Sequence, residues 1–302
     1  MEAIVQSFAS RKVISQFVEM GAYEWLWLKK GASFKTIAEQ FRAQPGARPS
    51  DLVLREVAIE TAERALHLSE HYGVSDFDVR VYRAGEYPDK LRDAAHPVEL
   101  LYFKGSWNLL EKHSVAVVGT RKPSASGKEC AERLATLLVA DGFMVVSGLA
   151  RGIDTVALTT AMKRGAQVAA VIGTPICGYF PPENQDLQDE IARRHLLISQ
   201  VPILRYFAQE GVRQNRIFFP ERKITMSALT DATVIVEATE SSGTLTQARA
   251  AIRQNRKLFI LDSCFQDPTL TWPKQYQKEG AIRVRDYEDI KQELATFSDK
   301  VR

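Results

Sequence analysis

Residues 114–127 read SVAVVGTRKPSASG, an apolar run that breaks at a glycine into a polar, basic turn. Val115, Val117 and Val118 suit a central parallel strand, and Gly119 lets the chain turn sharply where the strand ends. Thr120, Arg121 and Ser124 then place donors where the next helix begins, which is how an α/β sheet builds a phosphate site.

The same grammar continues along the chain. Short apolar runs, most of them rich in β-branched residues, predict strands at 114–118, 143–147, 167–172, 196–200, 233–237 and 257–261. Amphipathic stretches such as KECAERLATLLVADG and ARAAIRQNRK separate most of them. Alternation of this kind predicts an α/β, doubly wound, mostly parallel sheet, in which ligands sit beyond the carboxyl ends of the strands. Upstream, FDVRVYRAGEYPDKL and HPVELLYFKG read as an extended edge and a lead-in.

From Val5 to about Tyr72 the apolar spacing is helical, and the break at QPGARPS divides it. The chain is therefore read as a helical N-terminal module over 1–75 followed by the sheet domain over 76–302. Trp25, Leu26 and Trp27 are expected to fill the module's own core, with base stacking as the other reading. GASFKTIAEQF resembles the start of a helix-turn-helix but lacks a clear basic recognition helix.

The 302 residues carry 45% apolar and 25% charged side chains with a net charge of +3, which is ordinary globular composition and leaves any basic site to be local. No run approaches the roughly 20 apolar residues of a membrane span, and MEAIVQSFASRKV lacks a secretory core, so a cytoplasmic protein without a membrane partner is expected. Cys130, Cys177 and Cys264 are widely spaced and odd in number, and they read as reduced and structural.

Several strand ends carry candidate chemistry. VVSGLARGID sets Gly148, Arg151, Gly152 and Asp154 at a turn, with Asp154 as a helix cap and Arg151 facing a phosphate or solvent. AAVIGTPICGYFPPEN adds Gly173 and Gly178 for close backbone approach, and Asn184, which reads as an N-cap or a ligand contact. VIVEATESSGTLTQA places Ser242, Gly243 and Thr244 at a helix start, a second phosphate cradle. RQNRIFFPERK supplies Arg213, Arg216, Arg222 and Lys223 just before the helix leading into that strand.

Neither a GxGxxG turn nor a Walker GK[ST] ending is present at the first turn, so nicotinamide chemistry and ATP hydrolysis lose support. His67, His71, His96, His113 and His195 form no nucleophile-histidine-carboxylate pattern, and no metal-ligand spacing occurs. No catalytic residue, metal or cofactor is expected.

Taken in order, YPDKL, ELLYFKG, SVAVVGTRKPSASG, VVSGLARGIDTVAL, VAAVIGT, FPPENQDLQDEI, LLISQVP, FFPERK and VIVEATESSGTLTQA resemble the DNA-processing protein A (DprA, or Smf) family from about Tyr87 to Asp262. The resemblance implies an extended Rossmann-like fold, single-stranded DNA binding, a homodimer, and transfer of the strand to the RecA recombinase. It assigns a DNA-phosphate pocket to Gly119, Thr120, Arg121 and Ser124, to Ser147, Gly148, Ala150, Gly152, Ile153 and Asp154, to Phe180, Pro181 and Asn184, and to Ser242, Gly243, Thr244 and Leu245. The family's FPxRNRIISGLS reads FPERKITMSALT here, so Lys223 replaces an asparagine and Ile224 an arginine. Gln200 and Gln247 also depart from the pattern, and the sequence stops at Arg302 without the winged-helix tail of many members.

Three functions follow. The first is a single-stranded DNA binder assisting RecA, with Arg121, Arg151, Arg222 and Lys223 on phosphates. The second is a nucleotide or nucleic-acid sensor regulating a partner in a phage-defence or toxin-control module. The third is a nucleotide N-glycosidic hydrolase, opposed by an amide, Gln247, where that chemistry needs a carboxylate.

Overall fold

The computed structural model describes residues 14–208 and 215–298. Its nine strands form one sheet in the order β1-β2-β6-β5-β4-β3-β7-β8-β9. Six match the expected runs closely: β3 (Ser114–Val118), β4 (Met144–Ser147), β5 (Val168–Ile172), β6 (Leu196–Ser199), β7 (Ala232–Ile235) and β8 (Lys257–Leu261). They pair in parallel, and the first five are buried throughout while β8 is half-buried only at its ends. Their largely apolar character reflects helices packed on both faces.

The extended lead-in becomes β1 (Asp78–Val81) and β2 (Leu100–Gly105), which pair antiparallel with each other, and β2 pairs antiparallel with β6. At the other edge β9 (Ile282–Val284) was not expected, because three residues are too few to show a period.

The helices between the strands are α4 (Ala125–Ala140), α5 (Ile153–Lys163), α6 (Gln185–Arg194), α7 (Ile203–Ala208), α8 (Phe218–Leu229) and α9 (Thr244–Arg253). Beyond β8 come α10 (Asp262–Gln266), α11 (Trp272–Lys278) and α12 (Tyr287–Ser298). Strand β3 is flanked by β4 on one side and β7 on the other, so the crossovers leave the sheet in opposite directions from this point. That reversal opens a crevice at the carboxyl ends of β3 and β7.

The N-terminal helices are α1 (Gln16–Leu28), α2 (Phe34–Ala43) and α3 (Arg55–His71). Their apolar faces are continuous with the sheet's core. Trp27 lies with its ring centroid 4.8 Å from Phe34 and 6.2 Å from Phe218, the first residue of α8, and Tyr206 of α7 reaches Phe218 at 5.9 Å. The expectation that Trp25, Leu26 and Trp27 fill a core of the module's own is corrected in two ways. Trp25 is 37% exposed, since two residues of helix turn it away from Trp27, and Trp27 packs against a helix of the sheet domain.

A buried carboxylate fixes the same junction. Glu24 of α1 is fully buried; it accepts from Tyr102 Oη at 2.5 Å and from the first two backbone amides of α7, Ile203 N at 2.7 Å and Leu204 N at 3.0 Å. Burial pushes its pKa up to about 7, against the pull of those three donors.

Candidate nucleic-acid interface

The crevice between the β3 and β7 ends holds a cavity of about 530 Å³ lined by Gly119, Thr120, Arg121, Lys122, Arg222, Lys223, Ser242, Gly243, Thr244 and Gln247, among others. Ten of the expected residues therefore converge, Ala150 and Asp154 among them. A second cavity of about 290 Å³ adjoins it through Arg121, Lys122, Ala150 and Arg222, and adds Arg151, Phe180, Pro181 and Phe219.

Helix α9 starts at the other side of the crevice, with Gly243 in the cap position, and its dipole favours a negative charge there. Its first amide, Thr244 N, donates to Ser242 Oγ at 3.1 Å, and Leu245 N and Thr246 N donate to Ser242 O and Gly243 O, each at 3.1 Å. Thr244 Oγ1 donates to Gly119 O at 3.3 Å, which ties this helix end to the turn after β3. Lys223 Nζ donates to Gly243 O at 2.7 Å. Burial pushes the Lys223 pKa down to about 8, and Arg222 and Arg121 lower it further while Asp154 opposes them.

Arg222 sits deeper, at 5% exposure. Its Nη1 donates to Gly148 O, and a side chain at Gly148 would collide with the guanidinium. Asp154, 3% exposed, accepts from Gly148 N at 3.1 Å and Ala150 N at 3.4 Å. Burial raises its pKa, and the Arg222 charge pulls the other way. Asp154 thus ties down the turn before α5 instead of capping that helix, whose cap position is Gly152. Gly152 has φ +78°, and a Cβ there would meet Thr120 O and Arg121, so only glycine lets the two turns touch.

Among the expected residues outside this lining are Ser124, Arg151 and Asn184. Ser124 caps α4, accepting from Gly127 N at 2.9 Å, and donates to Glu237 Oε2 at 2.8 Å. It faces a different cavity, of about 630 Å³, whose lining includes Glu237, Glu240 and Asp267. The expected first phosphate cradle, at the start of α4, is therefore met by a carboxylate of the chain itself. Arg151 pairs with Glu183 through both Nε and Nη2 at the rim, in the smaller cavity. Glu183 is held below the usual carboxylate range by its own backbone amide and by that arginine.

Asn184 is 8% exposed, and its Nδ2 donates to Leu149 O and Thr155 Oγ1, each at 2.9 Å. It occupies the cap position of α6 without a side-chain cap bond, and instead braces Leu149, whose φ of +56° is unusual for a leucine. RQNRIFFPERK does not precede its helix: residues 218–223 are the first turns of α8, which carries Arg222 and Lys223 into the crevice. Arg213 lies outside the described residues.

Lys122 and Phe219 were not singled out from the sequence. Lys122 lines both cavities and follows Arg121 in the same turn, a signal that was available. Phe219 packs 5.2 Å from Phe180, itself 41% exposed, and this pairing joins two segments that no local pattern connects. Among the described residues no group of three or more His, Cys, Asp or Glu side chains could hold a metal ion, and no helix is long and apolar enough to cross a membrane.

The sequence model of the family described as DNA recombination-mediator protein A matches residues 78–295. The DNA processing protein DprA of Bacillus subtilis is 31% identical over 210 residues, covering 69% of this chain and 68% of that protein. The crystal structure of DprA from Streptococcus pneumoniae superposes with a TM-score of 0.67 at 26% identity, over 93% of this chain and 98% of that one. DNA processing protein A from Helicobacter pylori, described by its single-stranded DNA binding mode, gives a TM-score of 0.60 at 23% identity over 73% of this chain and 96% of that one.

Proposed function

Since the chain belongs to the DNA recombination-mediator protein A family, we propose that it is a DNA-processing protein that binds single-stranded DNA by its phosphates in the β3–β7 crevice and helps load a RecA-type recombinase on the strand. The observation that carries the binding is the meeting of Arg121, Lys122, Arg222 and Lys223 with the N-terminal end of α9 in one recess. Cations there neutralise phosphates, and the positive end of the α9 dipole favours the same charge.

A recess of about 530 Å³ admits a nucleotide or two and not the body of a duplex. The neighbouring Phe180 and Phe219 rings offer apolar faces beside Arg121 and Arg151, which suits unstacked bases with little sequence preference. In this reading Gly119, Thr120, Ser242, Gly243 and Thr244 shape and supply the phosphate cradle. Gly148, Gly152 and Asn184 hold its turns, and Ser124 acts from outside it through Glu237. No reaction is assigned to the site. A homodimer and the recombinase partner belong to the proposal as what the family implies.

The test is anisotropy of a short labelled single strand titrated over a range of salt, with duplex DNA as competitor. Affinity should fall with a log–log slope of about −0.7 per neutralised phosphate. A flat salt response, or equal competition by duplex, would overturn the reading. Recombinase loading is tested separately, by whether the protein accelerates RecA filament formation on a coated single strand.

A further inference from the structure

Of the cations that line the two cavities, only Arg151 forms a salt bridge among the described residues. Its guanidinium closes on both oxygens of Glu183: Nε donates to Oε2 at 3.2 Å and Nη2 to Oε1. A planar fork on two oxygens is also how an arginine takes a phosphate. The backbone beneath the pair is clamped, because buried Asn184 donates to Leu149 O and to Thr155 Oγ1, on either side of Arg151 in the chain. Only the two side chains are free to part. Both are more than half exposed, and besides Arg151 the Glu183 carboxylate bonds only its own backbone amide. Pairs so exposed favour their closed form by about fivefold at most.

While the pair is closed, Glu183 cancels the charge that Arg151 brings to the smaller cavity. That cavity continues into the main recess through Arg121, Lys122, Ala150 and Arg222. Glu183 lines neither cavity, so its carboxylate draws on Arg151 from outside. A phosphate entering from the recess brings the same two oxygens and gains from Arg121, Lys122 and Arg222 as well. It therefore has more cations to draw on than the carboxylate it displaces. We propose that Arg151 is a second phosphate position, closed in the free protein by Glu183 and opened when a strand seated in the main recess brings its neighbouring phosphate to it. Opening needs only a side-chain rotation of Glu183, since Asn184 keeps the backbone in place. The inference rests on the phosphate-binding reading above.

The experiment titrates a labelled oligodeoxythymidine with the full chain at low salt, for wild type, Glu183→Gln, Arg151→Ala and the double variant. Glu183→Gln keeps the shape of the side chain without its charge, and should tighten binding by about two- to fivefold, the range that releasing so exposed a pair allows. Arg151→Ala should weaken binding. In that background Glu183→Gln should change nothing, because no arginine is left for the carboxylate to occupy. Binding that is unchanged or weaker in Glu183→Gln would overturn the proposal, since the carboxylate would then orient Arg151 for the strand instead of competing with it. A gain that survives in full beside Arg151→Ala would overturn it too, as the mark of a charge acting through space. Both side chains are exposed, so melting curves of the four proteins should coincide and the comparison does not turn on folding. If the labelled strand binds none of the four, the phosphate reading fails as well; if it binds all four equally, only the second position fails.

Discussion

Glu237 places a carboxylate oxygen 2.8 Å from Ser124 Oγ and 3.2 Å from Ser124 N, so the N-terminus of α4 meets an anion that the chain itself provides. Across the crevice the first amides of α9 are met instead by Ser242 Oγ and by the backbone oxygens of Ser242 and Gly243, with no full charge. One of the two phosphate-like turns is thus occupied by a carboxylate of the chain itself.

Glu237→Gln should therefore tighten single-strand binding by several-fold at low salt, because it removes a negative charge beside a basic recess. It should also lower stability by about 1 kcal/mol through the weakened bond to the α4 cap. Anisotropy and thermal melting check the two effects together, and unchanged or weaker binding would count against the arrangement.

Lys223 should give binding a pH dependence. With a pKa near 8 its charge is lost as pH rises from about 7 to 9, and strand affinity should fall over that interval. Lys223→Arg should flatten the fall, since a guanidinium stays charged. Stability should move oppositely. The unfolded lysine keeps its proton up to about 10.5, so the unfolded state binds more protons between about 8 and 10.5 and this group favours the fold increasingly as pH rises there. Chemical denaturation at pH 7, 9 and 10.5 measures it.

Arg121 and Arg222 should separate binding from folding. Arg121 is exposed, and Arg121→Ala should make the salt slope shallower by about 0.7, one phosphate's share, with little change in melting temperature. Arg222→Ala leaves buried Asp154 without its neighbouring charge and removes the bond to Gly148 O, so a loss on the order of 3–5 kcal/mol is expected. Denaturant titration of both variants beside their binding curves checks the contrast.

Glu24 should make the junction between α1 and α7 sensitive to acidity. Its folded pKa of about 7 exceeds the ordinary 4.5, so the folded state holds the proton more tightly. The resulting stabilisation is full below about pH 4.5 and is lost as pH rises through 7. Glu24→Gln keeps an acceptor for the α7 amides without that charge, and should flatten the stability profile between those values.

Much of this was legible in the chain. The six central strands could be read because helices on both faces leave them largely apolar, and the glycines at 119, 148 and 243 mark where those strands or their following turns reach the crevice. The convergence of Arg121 with Arg222 and Lys223 was accessible only through resemblance, since about a hundred residues separate them. Local motifs misplaced Ser124 and Asn184 because a helix start shows donors in sequence but not what meets them: Glu237 in one case, Leu149 O and Thr155 in the other. Trp25 was misread because apolar character at one helical position does not say which way that position faces.

The aromatic contact between Trp27 and Phe218 has a practical side. Phe218 opens the helix that delivers Arg222 and Lys223 one turn later, so the first helices act as the fixed mount against which that basic helix is held. Anyone trimming the chain to residue 76 to obtain a minimal binder would remove the mount together with the helices. Affinity lost in such a fragment would then report a tilted helix, not missing ligand contacts.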